Sequence, residues 1–241
     1  LCSAYGFSRV ALADPIKRLG YYVFLFSDKQ LWGPSQLRNS VDSRFLSSEM
    51  WDSTEARLRA YSVEFCTSVI GTDDPHVISN AVNALFSWFV DLKREYRTKL
   101  SPRVMLQTLG TEWGRHCVSD DVWISHLLKV SRCLLNEDGN TNSWEYNPLS
   151  GPSPSNNPTC GVVVSDVRFA NELSLIKDAG GSLIRVIRPE TDSLASSVGV
   201  SNHESEQLEM SMASFDFILN NEGSLTDLYN AVDMFMRVLH K

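Results

Sequence analysis

Between Gly161 and Ile187 the chain spells out one unit of a parallel sheet. Gly161 to Ser165 (GVVVS) is a continuous apolar run, the pattern of a strand covered on both faces. Asn171 to Ala179 has helical spacing and runs into Gly180-Gly181, glycines that tolerate a left-handed cap. Ser182 to Ile187 (SLIRVI) reads as the next strand. A strand, a helix and a second strand in that order form a crossover, so this stretch predicts an α/β fold.

The flanking segments fit that class. Arg9 to Leu12 reads as a short buried strand that Ala13-Asp14-Pro15 stops; Pro15 suits a first helical turn and Asp14 is a candidate cap. Ile16, Leu19 and Val23 then follow at helical spacing. Ser27 to Ser53 is polar, with Trp32, Phe45 and Trp51 scattered in it, and reads as a mobile connection with short helices. Val77 to Arg97 carries one apolar stripe and predicts a helix, and Pro102 starts another. Ser119 is a candidate cap for a helix with Asp120 and Asp121 in its first turn and Trp123, Leu127, Val130 and Leu134 on its inner face. Asn136 to Thr159 is rich in Asn, Gly, Pro and Ser and predicts a long irregular loop. Phe215 to Leu219 reads as a last strand. Ser224 and Asp227 make a capping box for a final helix that buries Leu225, Leu228, Val232, Phe235 and Leu239.

Composition narrows the function classes. A formal net charge of -7 over 241 residues argues against wrapping a nucleic-acid backbone, which calls for a basic surface. No apolar run approaches the roughly 20 residues that span a bilayer, and no basic start followed by an apolar stretch marks a signal peptide. Cys2, Cys66, Cys117, Cys133 and Cys160 are odd in number and form no CxxC pair, so neither a disulfide framework nor a thiolate metal site is expected; a reducing cytoplasm is the simplest setting.

Ligands of open parallel sheets sit at the carboxyl ends of the strands. Three predicted ends carry polar groups: Asp14 and Lys17 after the first, Asp166, Arg168, Asn171 and Glu172 after GVVVS, and Arg188 and Glu190 after SLIRVI. A carboxylate and an arginine just beyond a buried strand suit a Mg-phosphate site, the carboxylate meeting the ion through water and the guanidinium gripping phosphate with two prongs. The same residues also suit a structural ion pair. Trp113 and Trp123 suit the core, Arg103 and Arg115 a solvated helix face, and His203 the surface.

Several strings built from these residues resemble the phage deoxynucleoside monophosphate kinase family. They are YGFSRVALADPIKR, LQTLGTEWGRHCVSDDVWI, VVVSDVRFANE, GGSLIRVIRP, HESE and FILNNEGSLTDLY, in the family's order and over nearly the whole chain. The resemblance implies a P-loop kinase-like three-layer sandwich with a mostly parallel sheet. It implies a single domain: core segments 1–26 and 160–241, a helical nucleotide-binding insertion over 27–135, a flexible loop over 136–159, and a lid at about 188–205. It implies phosphoryl transfer from ATP, with Mg²⁺, to a deoxynucleoside monophosphate, in the cytoplasm and without nucleic-acid or membrane partners; a homodimer is compatible with it. The implied catalytic residues are Asp166 (also facing Mg²⁺), Arg168 and Arg188. Asp14, Lys17, Arg38, Arg103, Gln107, Arg115, Trp123, Asn171 and Glu172 would serve the acceptor, with Gln107 on the base, and Arg188, Asn220 and Asn221 would serve ATP. A dephospho-CoA kinase-like enzyme and a non-catalytic nucleotide-binding module are the alternatives. The family's GxxxxGK[ST] phosphate loop is not among these residues. In the family that loop lies just upstream of the segment matching YGFSRVALADP, so the natural N-terminus is expected to precede Leu1.

Overall fold

The structure, a computed structural model, describes residues 2–137, 143–157, 159–187 and 215–239. These residues alternate helices and short strands, and both inter-strand pairings of distant segments are parallel, as an α/β fold requires. They cluster into two compact units, Cys2–Asp166 and Val167–Lys241.

In the first unit α1 (Cys2–Tyr5) leads into β1 (Phe7–Val10), which pairs in parallel with β4 (Gly161–Val164), Phe7 opposite Gly161 and Val10 opposite Val164. The strand therefore starts at Phe7 and ends at Val10, earlier than the Arg9–Leu12 reading, and Val162 to Val164 are half-buried, not covered on both faces. Helix α2 (Asp14–Tyr22) follows, then the short α3 (Asp28–Leu31) and α4 (Ser35–Asn39) and a 3₁₀ turn at Ser43–Leu46. Two long helices, α5 (Ser48–Ile70) and α6 (Pro75–Tyr96), pack against each other. Gly71, at φ 75°, closes α5 in the left-handed conformation that favours glycine. Then come α7 (Pro102–Thr108), a π-helical segment at Leu109–Val118 and α8 (Val122–Leu134).

Aromatic rings knit this unit together. Phe45 lies 4.9 Å from Trp51 and 5.8 Å from Phe24, and Trp51 lies 5.8 Å from Phe89, all of them buried. Phe45 and Trp51, scattered in a polar stretch of sequence, are thus core residues. A second chain of rings runs Phe65–Trp113–Trp123, with centroids 5.3 and 5.8 Å apart. Gly114 permits it: a Cβ there would lie 2.3 Å from the Trp123 ring.

Three expectations are corrected here. The predicted loop over 136–159 contains a hairpin, β2 (Ser143–Asn147) antiparallel to β3 (Gly151–Ser155), in which Pro152 and Pro154 sit on a strand with no further neighbour among the described residues to miss their absent N–H groups. Ser119 precedes α8 instead of capping it; its hydroxyl accepts from Asp121 N, and the helix begins at Val122. Asp14 is the first residue of α2, not its cap, and its carboxylate accepts backwards from Ala11 N.

In the second unit β5 (Ile184–Ile187) pairs in parallel with β6 (Phe217–Asn220). Among the described residues these two strands form a two-stranded sheet of their own. Helix α9 (Ala170–Asp178) buries Leu173 and Ile176, and α10 (Leu225–Leu239) buries Phe235 against Phe217 at 4.5 Å. Ser224 N donates to the Asp227 carboxylate, and Asp227 N to the Ser224 hydroxyl, forming the predicted capping box at α10. Leu225, expected on the buried face, is 62% exposed. No helix among the described residues is long and apolar enough to cross a membrane.

Candidate functional site

The carboxyl ends of β1 and β4 converge on the loop Ala11-Leu12-Ala13. Asp166, just past β4, binds that loop with both oxygens: Oδ1 accepts from Leu12 N at 2.8 Å and Oδ2 from Ala13 N at 3.0 Å. Asp14, 1% exposed, closes the loop from the helix side. Its Oδ2 accepts from Ala11 N at 2.9 Å and from the Tyr146 hydroxyl at 3.1 Å, while its buried Oδ1 has no hydrogen-bond partner among the described residues. One turn further along α2, Lys17 is 9% exposed, with its ammonium 5.6 Å from the centre of the Trp32 ring.

The electrostatics of this cluster are unbalanced. Burial pushes the Asp14 carboxyl above its ordinary range, opposed by the Ala11 amide and the Lys17 charge. Burial also pushes the Lys17 amine below its range, opposed by the Asp14 and Asp166 carboxylates and reinforced by Arg38 and Arg9. Lys17 makes no ion pair at contact distance with any described carboxylate. A dry lysine of this kind is poised to take up an anion, because the anion restores the field that water no longer supplies.

The other predicted residues of the first unit lie on several of its elements. Arg38 acts on Lys17 electrostatically, and its Nη2 donates to Gly33 O at 3.1 Å. α7 packs on both α2 and α4 and carries Arg103 and Gln107, half-buried and one turn apart. Arg115 lies half-buried on the π-helical segment. Trp123 is 4% exposed, and its indole N–H donates to Gly110 O at 2.8 Å, so the structure places it in the core of the unit.

In the second unit Glu172, 3% exposed, accepts from Arg168 N at 2.8 Å and Phe169 N at 3.0 Å, which caps the start of α9. Arg168 is exposed just before that helix, and Asn171 is half-buried in its first turn. Asn220 ends β6, and Asn221 N donates to Ile187 O at 2.8 Å. Arg188, Glu190, His203 and the whole of the expected lid, 188–205, lie outside the described residues.

Two participants escaped sequence reasoning. Tyr146, on β2, donates to Asp14 from 132 positions away, and Arg9 Nε donates to Ser165 Oγ at 3.2 Å across the strand ends. Neither carries a local signal in the sequence. As for a metal, the described residues hold no cluster of three or more His, Cys, Asp or Glu arranged to bind one. Asp166 has committed one acceptor site on each oxygen to a backbone amide, which leaves room for a hydrated ion and not for a protein cage. That donor set fits Mg²⁺ carried on phosphates.

No protein-family model matches this chain. Over 232 residues, 96% of this chain and 84% of the relative, it is 25% identical to a protein of Acanthamoeba polyphaga mimivirus provisionally named deoxynucleotide monophosphate kinase. The similarity is to a nucleotide kinase by name, and it extends over both compact units.

Proposed function

We propose that this protein is a deoxynucleoside monophosphate kinase of P-loop kinase-like fold, moving the γ-phosphoryl group of ATP to a deoxynucleoside 5′-phosphate to give the diphosphate and ADP. The observation that carries the reading is Lys17: a buried cation without a contact ion pair, next to the carboxyl ends of a parallel strand pair. The viral relative's name supports the same reading and a place in DNA-precursor supply for a virus or phage. In this reading Lys17, with Arg38 nearby, receives the acceptor phosphate. Arg103 and Gln107, one turn apart on α7, contact the acceptor, Gln107 through an amide that both donates and accepts. Asp166 holds the Ala11–Ala13 loop in shape and faces the metal through water. Arg168 and Arg188 neutralise transferred charge, and Asn220 and Asn221 serve the adenine end of ATP. Mg²⁺ arriving with the nucleotide supplies charge neutralisation of the phosphates. Such transfers run on positioning and electrostatics, and the acceptor is already a phosphate oxygen, so no general base is called for.

The test is ADP formation by the protein expressed from its gene's natural start, with Mg-ATP and each of the four deoxynucleoside monophosphates. Turnover with at least one is expected. Lys17→Met should reduce it by about a hundredfold to a thousandfold, the scale of losing one preorganised charge-stabilising group. A folded protein that turns over none of the four overturns the assignment.

A further inference from the structure

Helix α2 offers a second set of groups on its other side. At about 100° per residue, Arg18 and Tyr22 fall together on one face of the helix, well away from Ile16 and Gly20, which meet the segment around α7. Across from them α5 presents Arg57, Tyr61, Glu64 and Ser68, spaced as a single helical face. Between the two helices lies a cavity of about 570 Å³, closed at one end by Leu149 and Ser150 of the β2–β3 turn. That volume falls within the range of small-molecule sites.

The cavity holds more positive charge than its protein partners neutralise. Arg18 is 8% exposed; its Nε donates to Pro148 O at 3.3 Å, and its charge acts on the Tyr146 hydroxyl. Arg57 donates from Nε to Val23 O at 2.6 Å and from Nη2 to Thr54 Oγ1 at 2.9 Å. Neither guanidinium ion-pairs with a described carboxylate, and each has five N–H groups, so donors remain on both. Tyr22 and Tyr61 stand beside them with ring centroids 5.6 Å apart, and Tyr22 is 43% exposed. Glu64, also without an ion-pair partner, lies on the rim. Two arginines with spare donors, two aromatic faces and one free acceptor form the complement of a phosphate monoester attached to a flat ring bearing N–H groups.

We infer that the cavity between α2, α5 and the β2–β3 turn binds a nucleoside monophosphate, as a site separate from the Lys17 cluster. The phosphate meets Arg18 and Arg57, the base lies on the tyrosines, and Glu64 accepts from the ring. Tyr146 marks the partition: its hydroxyl donates to Asp14 on the strand-end side and feels the charge of Arg18 on the cavity side. The assignment does not depend on the kinase reading.

Calorimetric titration of the full chain with deoxynucleoside monophosphates, and with inorganic phosphate, tests it. Lys17→Met should keep nucleotide binding in the cavity within about threefold, while Arg57→Gln in that background weakens it by about tenfold or more. Arg57 also ties α5 to the Val23 carbonyl, so Tyr22→Ala, at an exposed ring, is the second variant; it should weaken nucleotide binding several-fold and leave inorganic phosphate binding unchanged. The thermal midpoint of each variant confirms folding. Nucleotide binding that vanishes in Lys17→Met, or that survives both cavity substitutions undiminished, overturns the proposal. Loss of turnover in Lys17→Met with cavity binding intact bears on the kinase reading alone.

Discussion

The two compact units solve the problem of a core differently. In Cys2–Asp166, Phe24, Phe45, Trp51 and Phe89 touch ring to ring, and Asp14, Lys17, Arg18, Asp42 and His126 are buried among the packed helices and strands. In Val167–Lys241 the described core is Leu173, Ile176, Leu183, Phe235 and Met236, and Glu172, the one buried charge among the described residues there, is spent on capping α9. A charge stays dry only where surrounding groups neither rearrange nor admit water. The larger aromatic core therefore coincides with the concentration of buried charge, and both candidate binding places lie in that unit.

This contrast is open to attack by mutation, and the largest effect comes from its core. Trp51→Ala removes a fully buried ring whose N–H donates to Phe45 O at 2.8 Å; a loss of roughly 4 kcal/mol is expected in denaturant unfolding. Phe235→Ala, in the thinner core, should cost about 2 kcal/mol, less than the usual range for a buried phenylalanine. Equal losses would erase the distinction between the units.

Next comes His126 on α8, 7% exposed, with Nδ1 against Ser68 O at 3.2 Å and Nε2 without a partner among the described residues. Burial, aided by the Arg18 charge, brings its pKa from 6.5 down to about 4. The native state thus excludes the imidazolium. Its contribution is fully present above pH 6.5 and is lost as pH falls toward 4, up to about 3 kcal/mol. His126→Leu should flatten that part of the stability-pH curve; an unchanged acid limb would show that the ring titrates freely.

The smallest effect compares two carboxylates that each join a backbone or side-chain donor to a cation. Asp42 is 8% exposed and accepts from Arg44 Nη2 at 2.6 Å and Gln30 Nε2 at 3.0 Å; burial works to raise its pKa, but these partners outweigh it and hold the group below the ordinary range. Asp216, exposed, accepts from Leu183 N at 2.7 Å and Lys177 Nζ at 2.6 Å, and these partners also hold it low. Asp42→Asn should cost about 1 kcal/mol, since half-exposed pairs are screened by water. Asp216→Asn should move the thermal midpoint less. The reverse order would mean that the second unit depends on its surface charges.

The sequence was legible where a stripe was clean. α6 shows its buried Ile78, Ala81, Leu85, Trp88, Phe89 and Leu92 to any helical reading. α5 does not, because Thr54 and Ser62 occupy its buried stripe; their hydroxyls donate to Met50 O and Arg59 O, so they are satisfied inside the core while looking polar in the sequence. The β2–β3 hairpin was hidden by Pro152 and Pro154, which count against a strand until the strand proves to be an edge.

The sequence by itself determined the local events: the parallel-pairing segments, the α10 capping box, and the polar residues Asp14, Lys17 and Asp166 at strand ends. All of these follow from residues within a few positions of one another. Only the tertiary structure decided that Asp166 would hold the amides of Leu12 and Ala13, that Tyr146 would reach Asp14, and that Arg18 and Arg57 would face one cavity. Those relations join residues 39 to 154 positions apart. Whether a lysine is solvated or dry is set by what packs over it, and side-chain spacing along a chain carries no record of that.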